Sequence, residues 1–392
     1  MGRLWLVLAA VLILNGVGAA ASDFDLDSLF GGEILLDLEE TEPDRSAAEL
    51  VLTGDRLEIG GSYRLGAEVS RLQGEIEVPL PIEVTRDEFS LTFNGDVYMD
   101  LRPEPTWRAF LKAKYAAQLG YETWPEERST ESLDISLHEL FLDYTLWDRL
   151  YLRAGKQTVN WGVGYFFSPA DVINIGRIDP FDAEAPREGP LALKAHYPMG
   201  SNNYYVYVIF EDMESIGDVA VAPKVEYVVG RTEMGLGAFY RDGRPLQLMG
   251  TLSSTLGKVS VFGEAVLVVD SQSGPGERLD WQWTVGGRYS YRDEEGLFDL
   301  TSAAQYLYSG KHEAAVLVNW NNLLKTRLSA SALWLASLSD KSGLVNFGLN
   351  LPSLESVQPQ VGVRYLYSAD QSVALGSGTQ LYFAVTFGSG SF

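Results

Sequence analysis

The sequence predicts an all-β protein, a transmembrane antiparallel β-barrel of about eighteen strands. Three observations support this prediction: an N-terminal export segment, an alternation of apolar and polar residues from about residue 55 onward, and connections that alternate between short turns and long loops. Together they are typical of an exported chain that crosses an outer membrane with strands.

The N-terminus has the composition of a signal peptide. Arg3 supplies a positive charge, an apolar run extends from Leu4 to Leu14, and Ala19–Ala21 offers a cleavage site of small residues before Ser22. We therefore expect residues 1–21 to be removed during export. The chain contains no cysteine, which excludes lipid attachment at a cysteine, disulfide bonds and thiolate metal sites.

After the signal peptide no stretch approaches the ~18 consecutive apolar residues that a transmembrane helix needs, so the sequence does not predict an inner-membrane protein. The formal net charge is −23, which argues against nucleic acid as a partner because phosphate binding requires clustered cations.

Residues 22–54 differ in composition from the rest of the chain, with ten acidic side chains and a single cation, Arg45. We expect a solvated, acidic periplasmic leader. The alternative is a plug of the barrel, or a tether to a periplasmic partner. Residues 55–392 then form the barrel as one domain.

The barrel prediction depends on period two, since successive residues of a strand face opposite sides of the sheet. In Trp281–Arg292, for example, Trp281, Trp283 and Val285 alternate with polar side chains. We count eighteen such segments, and sixteen remains an alternative. They start near residues 57, 88, 105, 133, 149, 190, 202, 218, 231, 245, 257, 280, 297, 311, 325, 342, 357 and 379.

The connections between these segments fall into two classes that alternate along the chain. Short turns alternate with a second class that contains the long connections, and this is the outer-membrane pattern. With both termini on the short-turn side, the strand number must be even. The long connections are 70–87, 119–132, 160–189, 270–279 and 368–378.

The last strand is expected to close the barrel, with Thr379–Phe387 against the first strand near Leu57. Its alternating apolar residues and terminal aromatic residue are typical of the segment that the barrel-assembly machinery recognises. Either Phe387 or Phe392 can be that aromatic residue, because Gly388–Ser391 separates them. Aromatic residues also recur at strand ends, as expected for the interfacial girdles of a barrel in outer-membrane lipid.

One segment resembles a known family. It contains Lys156-Gln157, Trp161-Gly162, Asp171 with Asn174, and Arg187-Glu188-Gly189. Over roughly forty residues it resembles a signature of large bacterial outer-membrane porin-like barrels, including the alginate-export type and allied uncharacterised families. The resemblance implies a channel in the cell outer membrane.

The third long loop, 160–189, is rich in apolar residues and contains three prolines, so it needs to bury area against another surface. We expect it to fold into the barrel as a pore constriction loop. The alternative is a self-packed cap on the outer surface, and Trp161 and Asn174 could serve only to anchor the loop. The candidate constriction residues are Trp161, Asp171, Asn174, Arg177, Asp179, Asp182, Glu184 and Arg187.

A second candidate site is a lumenal basic ladder, formed by cations on the polar faces of predicted strands three, five and six. Such a row facing acidic loop residues would set up a transverse field and select ions. The alternative is that these cations only offset lumenal acids such as Asp96, Asp100 and Asp143. The ladder consists of Arg108, Lys112, Lys114, Arg153 and Lys194.

Enzymatic function is not expected. The three histidines, His138, His196 and His312, lie on separate predicted strands, and no two have metal-ligand spacing. The sequence predicts no catalytic residue, no metal and no cofactor.

The sequence therefore predicts a porin for passive diffusion of small hydrophilic solutes, charged or sugar-like. The alternative of a different class is a structural or adhesive barrel with a blocked lumen, tethered through its leader to a periplasmic or cell-wall partner. An outer-membrane hydrolase ranks third.

Overall fold

The computed structural model describes residues 56–78, 80–123, 127–176, 178–181, 183, 185, 187–210, 219–270, 278–294, 298–323, 326–354, 357–368 and 377–391. The predicted signal peptide and acidic leader lie outside these residues. So do Arg177, Asp182 and Glu184 of the predicted constriction loop and the terminal Phe392.

The described residues form eighteen strands, as the sequence predicts, and most predicted starts are within about three residues of the observed ones. None of the described residues forms a helix long and apolar enough to cross a membrane. The strands are β1 (Leu57–Val78), β2 (Leu80–Glu104), β3 (Trp107–Glu122), β4 (Arg128–Leu146), β5 (Leu150–Lys156), β6 (Leu191–Met199), β7 (Asn202–Ile209), β8 (Ala220–Val229), β9 (Thr232–Arg241), β10 (Leu246–Leu256), β11 (Val259–Asp270), β12 (Arg278–Arg292), β13 (Asp299–Tyr308), β14 (His312–Asn321), β15 (Ser329–Ser337), β16 (Ser342–Asn350), β17 (Gln358–Tyr367) and β18 (Ser377–Ser391).

These strands form one closed antiparallel barrel. Each strand pairs with its neighbours in the sequence, and β18 pairs with β1, so that the sheet has no free edge. Thr379 lies opposite Gln73, and the pairing continues to Ser391 opposite Ser62. The last strand therefore closes the barrel as predicted, although Gly388–Ser391 continues the strand where the sequence indicated a spacer.

Exposure separates the two faces of the barrel. On β12 the Trp283 side chain is 40% exposed, whereas the neighbouring Thr284 is only 2% exposed. Large exposed apolar side chains recur on the same face of other strands, for example Phe347 on β16 and Phe383 on β18. This apolar face is the exterior of the barrel, and the opposite face of each strand is the interior.

The short turns have the backbone that tight hairpins require. Trp147 and Asp148, between β4 and β5, both have φ of 54°. Both residues are in the left-handed conformation that tight hairpin turns use, within a three-residue connection between the paired Leu146 and Leu150.

The predicted long connection at 70–87 is wrong. β1 continues to Val78 and β2 starts at Leu80, and the two remain in register throughout. The period-two pattern does not end at residue 70, and the exposed pair of Arg71 and Asp87, 2.6 Å apart, joins the two strands there. The polar residues of this stretch alternate with apolar ones, as a strand requires. The predicted connection at 119–132 is likewise shorter, since β3 extends to Glu122 and β4 begins at Arg128.

Candidate functional site

The connection between β5 and β6, residues 157–190, is the longest in the barrel; we call it the β5–β6 loop. Its apolar side chains are buried, with Trp161 only 1% exposed. Trp161 and Ile173 pack with residues of β7, β8, β10 and β11, and Phe166 packs with residues of β13, β14 and β15. The loop thus covers its apolar area against distant strands.

Glu264 on β11 holds the first half of this loop. Its carboxylate accepts hydrogen bonds from the backbone N–H groups of Val163 (2.6 Å), Gly164 (2.6 Å) and Ala170 (2.9 Å). The Ser168 hydroxyl donates to the same carboxylate at 2.9 Å. Four donors around one buried carboxylate replace the water it loses.

Gln305 on β13 holds the adjacent turn of the loop. Its Oε1 accepts from the backbone N–H groups of Tyr165 (3.0 Å), Phe166 (2.6 Å) and Phe167 (3.3 Å). Its Nε2 donates to the Phe167 carbonyl at 2.6 Å and to the Thr284 hydroxyl at 2.7 Å. Both ends of the carboxamide are therefore used.

The contacts of Glu264 and Gln305 place the loop on the interior face. Glu264 lies opposite Thr284 in the pairing of β11 with β12, and Thr284 is on the face opposite the exposed Trp283. β11 and β13 are five or more strands away from β6 in the barrel. A loop that leaves β5 and bonds these side chains has to cross the barrel interior.

Lys224 on β8 makes a third contact of this kind. Its Nζ donates to the Trp161 carbonyl at 2.9 Å and pairs with Glu226 at 2.8 Å. The Trp161 ring meets Tyr207 edge-on, with centroids 5.4 Å apart, and its Nε1 donates to the Met249 sulfur. Trp161 therefore anchors the loop to the wall, which is one of the two roles the sequence left open.

The base of the loop is held together by its own residues. The Asn174 carboxamide accepts from the Val159 N–H at 3.0 Å and donates to the Val159 carbonyl at 2.6 Å. It also donates to Asp171 at 2.8 Å, and Arg187 pairs with the same carboxylate. The sequence offered Asp171 and Arg187 to the channel, but the structure pairs them with each other and leaves the Asp171 side chain only 4% exposed. A carboxylate so deeply buried needs such partners.

The surroundings shift the pKa values of two ionisable groups at the end of the loop. The hydrogen bond from Lys156 lowers the pKa of the Glu188 carboxyl, and Glu188 stays partly exposed. Burial lowers the pKa of the Arg187 guanidinium from its usual value. Both groups are charged at neutral pH, so the loop is held by ion pairs at its base.

Among the predicted constriction residues that the structure describes, Asp179 has an exposed side chain. Its carboxylate accepts from the Phe181 N–H at 2.9 Å. The Phe181 ring in turn lies 5.2 Å from the Arg364 guanidinium of β17. The tip of the loop thus reaches the far wall.

The cations of the predicted lumenal basic ladder are on the interior face but are paired with wall carboxylates. Arg108 bonds Asp100 at 2.9 Å and lies 3.7 Å from Asp143. Arg153 bonds Asp143 at 2.6 Å and stacks on the Phe141 ring at 3.7 Å.

The remaining ladder residues continue the pattern. Lys112 pairs with Asp96 at 3.2 Å, and Lys114 lies opposite Asp96 in register. Lys194 faces the rings of Tyr205 and Tyr207, at 5.3 and 5.9 Å. Among the described residues, Arg108, Lys112 and Arg153 thus meet acids of their own wall, whereas Lys194 faces aromatic rings. This arrangement agrees with the alternative that they offset lumenal carboxylates.

Sequence reasoning missed Glu264, Gln305 and Lys224. Each is a polar residue at an interior position of a strand, and such positions are polar throughout a wet barrel. No local pattern distinguishes them, because their partners are 63 to 140 residues away in the chain.

The three histidines lie apart. His196 bonds Asn203 at 2.9 Å, and His312 bonds the Tyr306 hydroxyl. His138 is buried, and its Nε2 has no hydrogen-bond partner within the described part of the chain. Among these described residues no three acids or histidines are grouped as metal ligands.

Comparison with known proteins shows a shared fold. No family model matches this chain, and no curated protein matches its sequence. Among solved structures, Pseudomonas aeruginosa OccK7 (OpdD) has a TM-score of 0.51 at 8% identity, covering 86% of this chain and 99% of that chain. Acinetobacter baumannii OccAB4 has a TM-score of 0.49 at 8% identity, covering 86% of this chain and 99% of that one. The outer membrane protein OprD from Pseudomonas aeruginosa has a TM-score of 0.48 at 9% identity, covering 84% of this chain and 94% of that one.

At identities this low the similarity is one of fold. With its TM-score above 0.5, the OccK7 comparison supports the fold, a closed barrel of eighteen antiparallel strands. The resemblance of residues 156–189 to the alginate-export type receives no support from these matches.

Proposed function

We propose that the protein is an outer-membrane channel through which small hydrophilic solutes diffuse passively. The observation that carries this proposal is the division of the barrel into an apolar exterior and a charged interior, with the β5–β6 loop folded into that interior. An apolar exterior matches lipid, and a polar lumen favours water and dissolved solutes.

The β5–β6 loop is proposed to be the constriction. Through Glu264 and Gln305 it occupies the interior side of β11 and β13. The remaining passage is then lined by the wall of β2 to β5. This wall carries Arg108, Lys112 and the carboxylates paired with them. A solute would then pass between the loop and this charged wall.

The charges of that wall influence which solutes the channel favours. Arg108 and Lys112 alternate with Asp96, Asp100 and Asp143, so cations and acids nearly balance. Such a surface offers both donors and acceptors, and it favours hydrophilic solutes over apolar ones. We therefore propose charged or sugar-like solutes, with the wall setting orientation more than net ion preference.

Localisation to the outer membrane follows from the same proposal, after export and removal of residues 1–21. We also propose that the barrel-assembly machinery recognises the last strand. Phe387, which lies at the register shift between β1 and β18, is the aromatic candidate among the described residues. N-terminal sequencing of the mature protein tests the cleavage, and Ser22 is the residue we expect first.

Planar-bilayer recording of the purified protein tests the function. Discrete conductance steps are expected in potassium chloride. The competing proposal, a structural or adhesive barrel with a blocked lumen, predicts no steps at any salt concentration, and that result would overturn the channel.

A further inference from the structure

A β-bulge in β4 turns His138 into the barrel. In the pairing of β3 with β4, Leu137 and Glu139 lie opposite successive residues of β3, and His138 has no residue opposite it. Leu137 and Leu140, which are 40% and 47% exposed, lie on the exterior face. The two residues between them, His138 and Glu139, therefore both face the interior, because a bulge inserts one extra residue into a strand.

The His138 side chain is buried in this position. The residue is only 4% exposed, and its Nε2 has no hydrogen-bond partner among the residues that the structure describes. A neutral imidazole carries one N–H group, whereas an imidazolium carries two N–H groups and a charge. Since a buried charge is costly unless it is paired, this arrangement suits the neutral ring and offers the charged ring no partner at Nε2.

Four charged groups from three elements act on His138. They are Lys112 and Lys114 of β3, Glu139 of β4 and Glu188 at the end of the β5–β6 loop. The two cations repel a positive charge on the ring, and the two carboxylates attract it. Glu139 and Glu188 are therefore the partners that an imidazolium at this position would draw towards it.

Both carboxylates also hold the base of the β5–β6 loop. Oε1 of Glu139 accepts from the Thr158 N–H at 3.2 Å, where the chain enters the loop. The Glu188 carboxylate pairs with Lys156, where the chain leaves the loop. A carboxylate that turned towards His138 would give up one of these two contacts.

We propose that His138 is an acid-sensitive positioning residue of the β5–β6 loop, which leaves the base of the loop held when its ring is neutral and releases it when the ring takes up a proton. The charged ring would draw Glu139 or Glu188 away from its loop contact, as protonated histidines do at other pH-dependent contacts. This inference rests on the proposed channel, because the loop is its proposed constriction. A released base would let the constriction fluctuate, so the current through the open channel should become noisier in acid.

Hydrogen exchange of the purified full chain in detergent, measured by mass spectrometry on peptides that contain Thr158, tests this role. Each rate is divided by the intrinsic exchange rate at the same pH, which gives a protection factor. The protection of Thr158 should fall at least about ten-fold between about pH 7.5 and about pH 5, the effect of losing a hydrogen bond to a charged group. Glu188 stays charged over this range because its pKa is lowered from 4.5.

His138→Gln removes the group that takes up the proton and keeps a polar side chain, so its Thr158 protection should be the same at both pH values. His138→Phe, which fills the site with a neutral ring, is expected to behave in the same way and serves if the first variant does not fold. His312→Gln is the matched control. His312 is exposed and bonds the Tyr306 hydroxyl, away from the loop, so this variant should keep the full fall in protection.

Equal protection of Thr158 at both pH values in the wild-type protein would overturn the role given to His138, and so would an equal fall in the His138→Gln protein. Planar-bilayer noise that does not rise in acid despite a fall in protection would overturn the link to the constriction. Hydrogen exchange needs no conducting channel. Absence of conductance steps would therefore overturn the channel, while a fall in protection that depends on His138 would still support its role at the loop.

Discussion

Glu264, in the middle of β11, accepts a hydrogen bond of 2.9 Å from the backbone N–H of Ala170, which lies 94 residues earlier in the chain. Ala170 is fully buried, and the bond lies on the interior face of the barrel. The contact joins the loop that enters the lumen to the wall it lies against. In the proposed channel this contact would fix where the remaining passage runs.

Replacing Glu264 tests how firmly the loop is held. In Glu264→Gln one oxygen is replaced by an NH₂ group, which cannot accept, so either the N–H groups of Val163 and Gly164, bound to Oε1, or that of Ala170, bound to Oε2, lose their acceptor. We expect hydrogen exchange of the amides that lose it to become about 10- to 100-fold faster, the effect of losing a charge-assisted hydrogen bond. Glu233→Gln, at an exposed position of β9, should leave their exchange unchanged. Equal protection in both variants would mean that Glu264 does not hold the loop.

A substitution at Gly162 tests how closely the loop packs against Glu264. A Cβ atom at this position would overlap Ser168 Oγ and lie 2.6 Å from Glu264 Oε1. Gly162→Ala should destabilise the protein by about 1–3 kcal/mol, as other overpacked sites do, measured by denaturant unfolding in detergent. The control is Gly287→Ala, because the nearest atom to its Cβ would be Ser260 O at 3.5 Å. If both variants unfold at the same denaturant concentration, the packing around Gly162 is looser than described.

The pair of Lys156 and Glu188 gives the loop a pH dependence. Because the pKa of Glu188 is lowered in the folded protein, the pair stabilises the loop above the usual carboxyl pKa of 4.5, and this contribution is lost as the pH falls through the lowered value. The Ile175 N–H donates to the Glu188 carbonyl at 2.9 Å and reports on this part of the loop. Glu188→Gln should raise Ile175 exchange roughly two- to five-fold at pH 7, the effect expected of an exposed pair.

The effect of the same substitution should diminish as the pH falls through the lowered pKa of the Glu188 carboxyl, because the wild-type carboxyl then takes up a proton as well. A ratio of exchange rates that stays the same as the pH is lowered would contradict the role given to this pair.

The lumenal basic ladder can be tested by its charge. Replacing Arg108, Lys112 and Lys114 together by glutamine removes the cation paired with Asp96 and leaves Asp100 with Arg102 alone, at 2.7 Å. The reversal potential in a potassium chloride gradient should then shift towards cation preference, because unpaired acids in a narrow lumen attract cations. Lys311→Gln, in the turn between β13 and β14, removes a cation paired with Asp340 at 2.9 Å and should not shift it. An unchanged reversal potential in the triple variant would place the ladder away from the ion path.

The strands and the closure of the barrel could be predicted because they depend on local patterns. The alternation of Trp281, Trp283 and Val285 with polar residues assigns each side chain to a face without reference to any other strand. An even strand number follows from the alternation of turn lengths. The stretch between Arg71 and Asp87 was predicted as a loop, although its period of two continues and the two strands stay in register there.

The site itself was predicted less completely, and the reason is physical. Trp161 and Asn174 could be found because they are unusual residues in a loop. Glu264 and Gln305 could not, since a polar residue on the interior face of a strand is ordinary and its role is set by a loop about a hundred residues away. The pairing of Asp171 with Arg187 also depends on the folded loop, so both residues were expected at the channel.

The most direct test of the central claim is the single-channel conductance of a variant that lacks residues 166–185. If the β5–β6 loop narrows the lumen of an open channel, this variant should form steps of higher conductance than the wild-type protein in the same potassium chloride solution. Equal conductance of the two proteins would contradict the account, and so would the absence of steps from both.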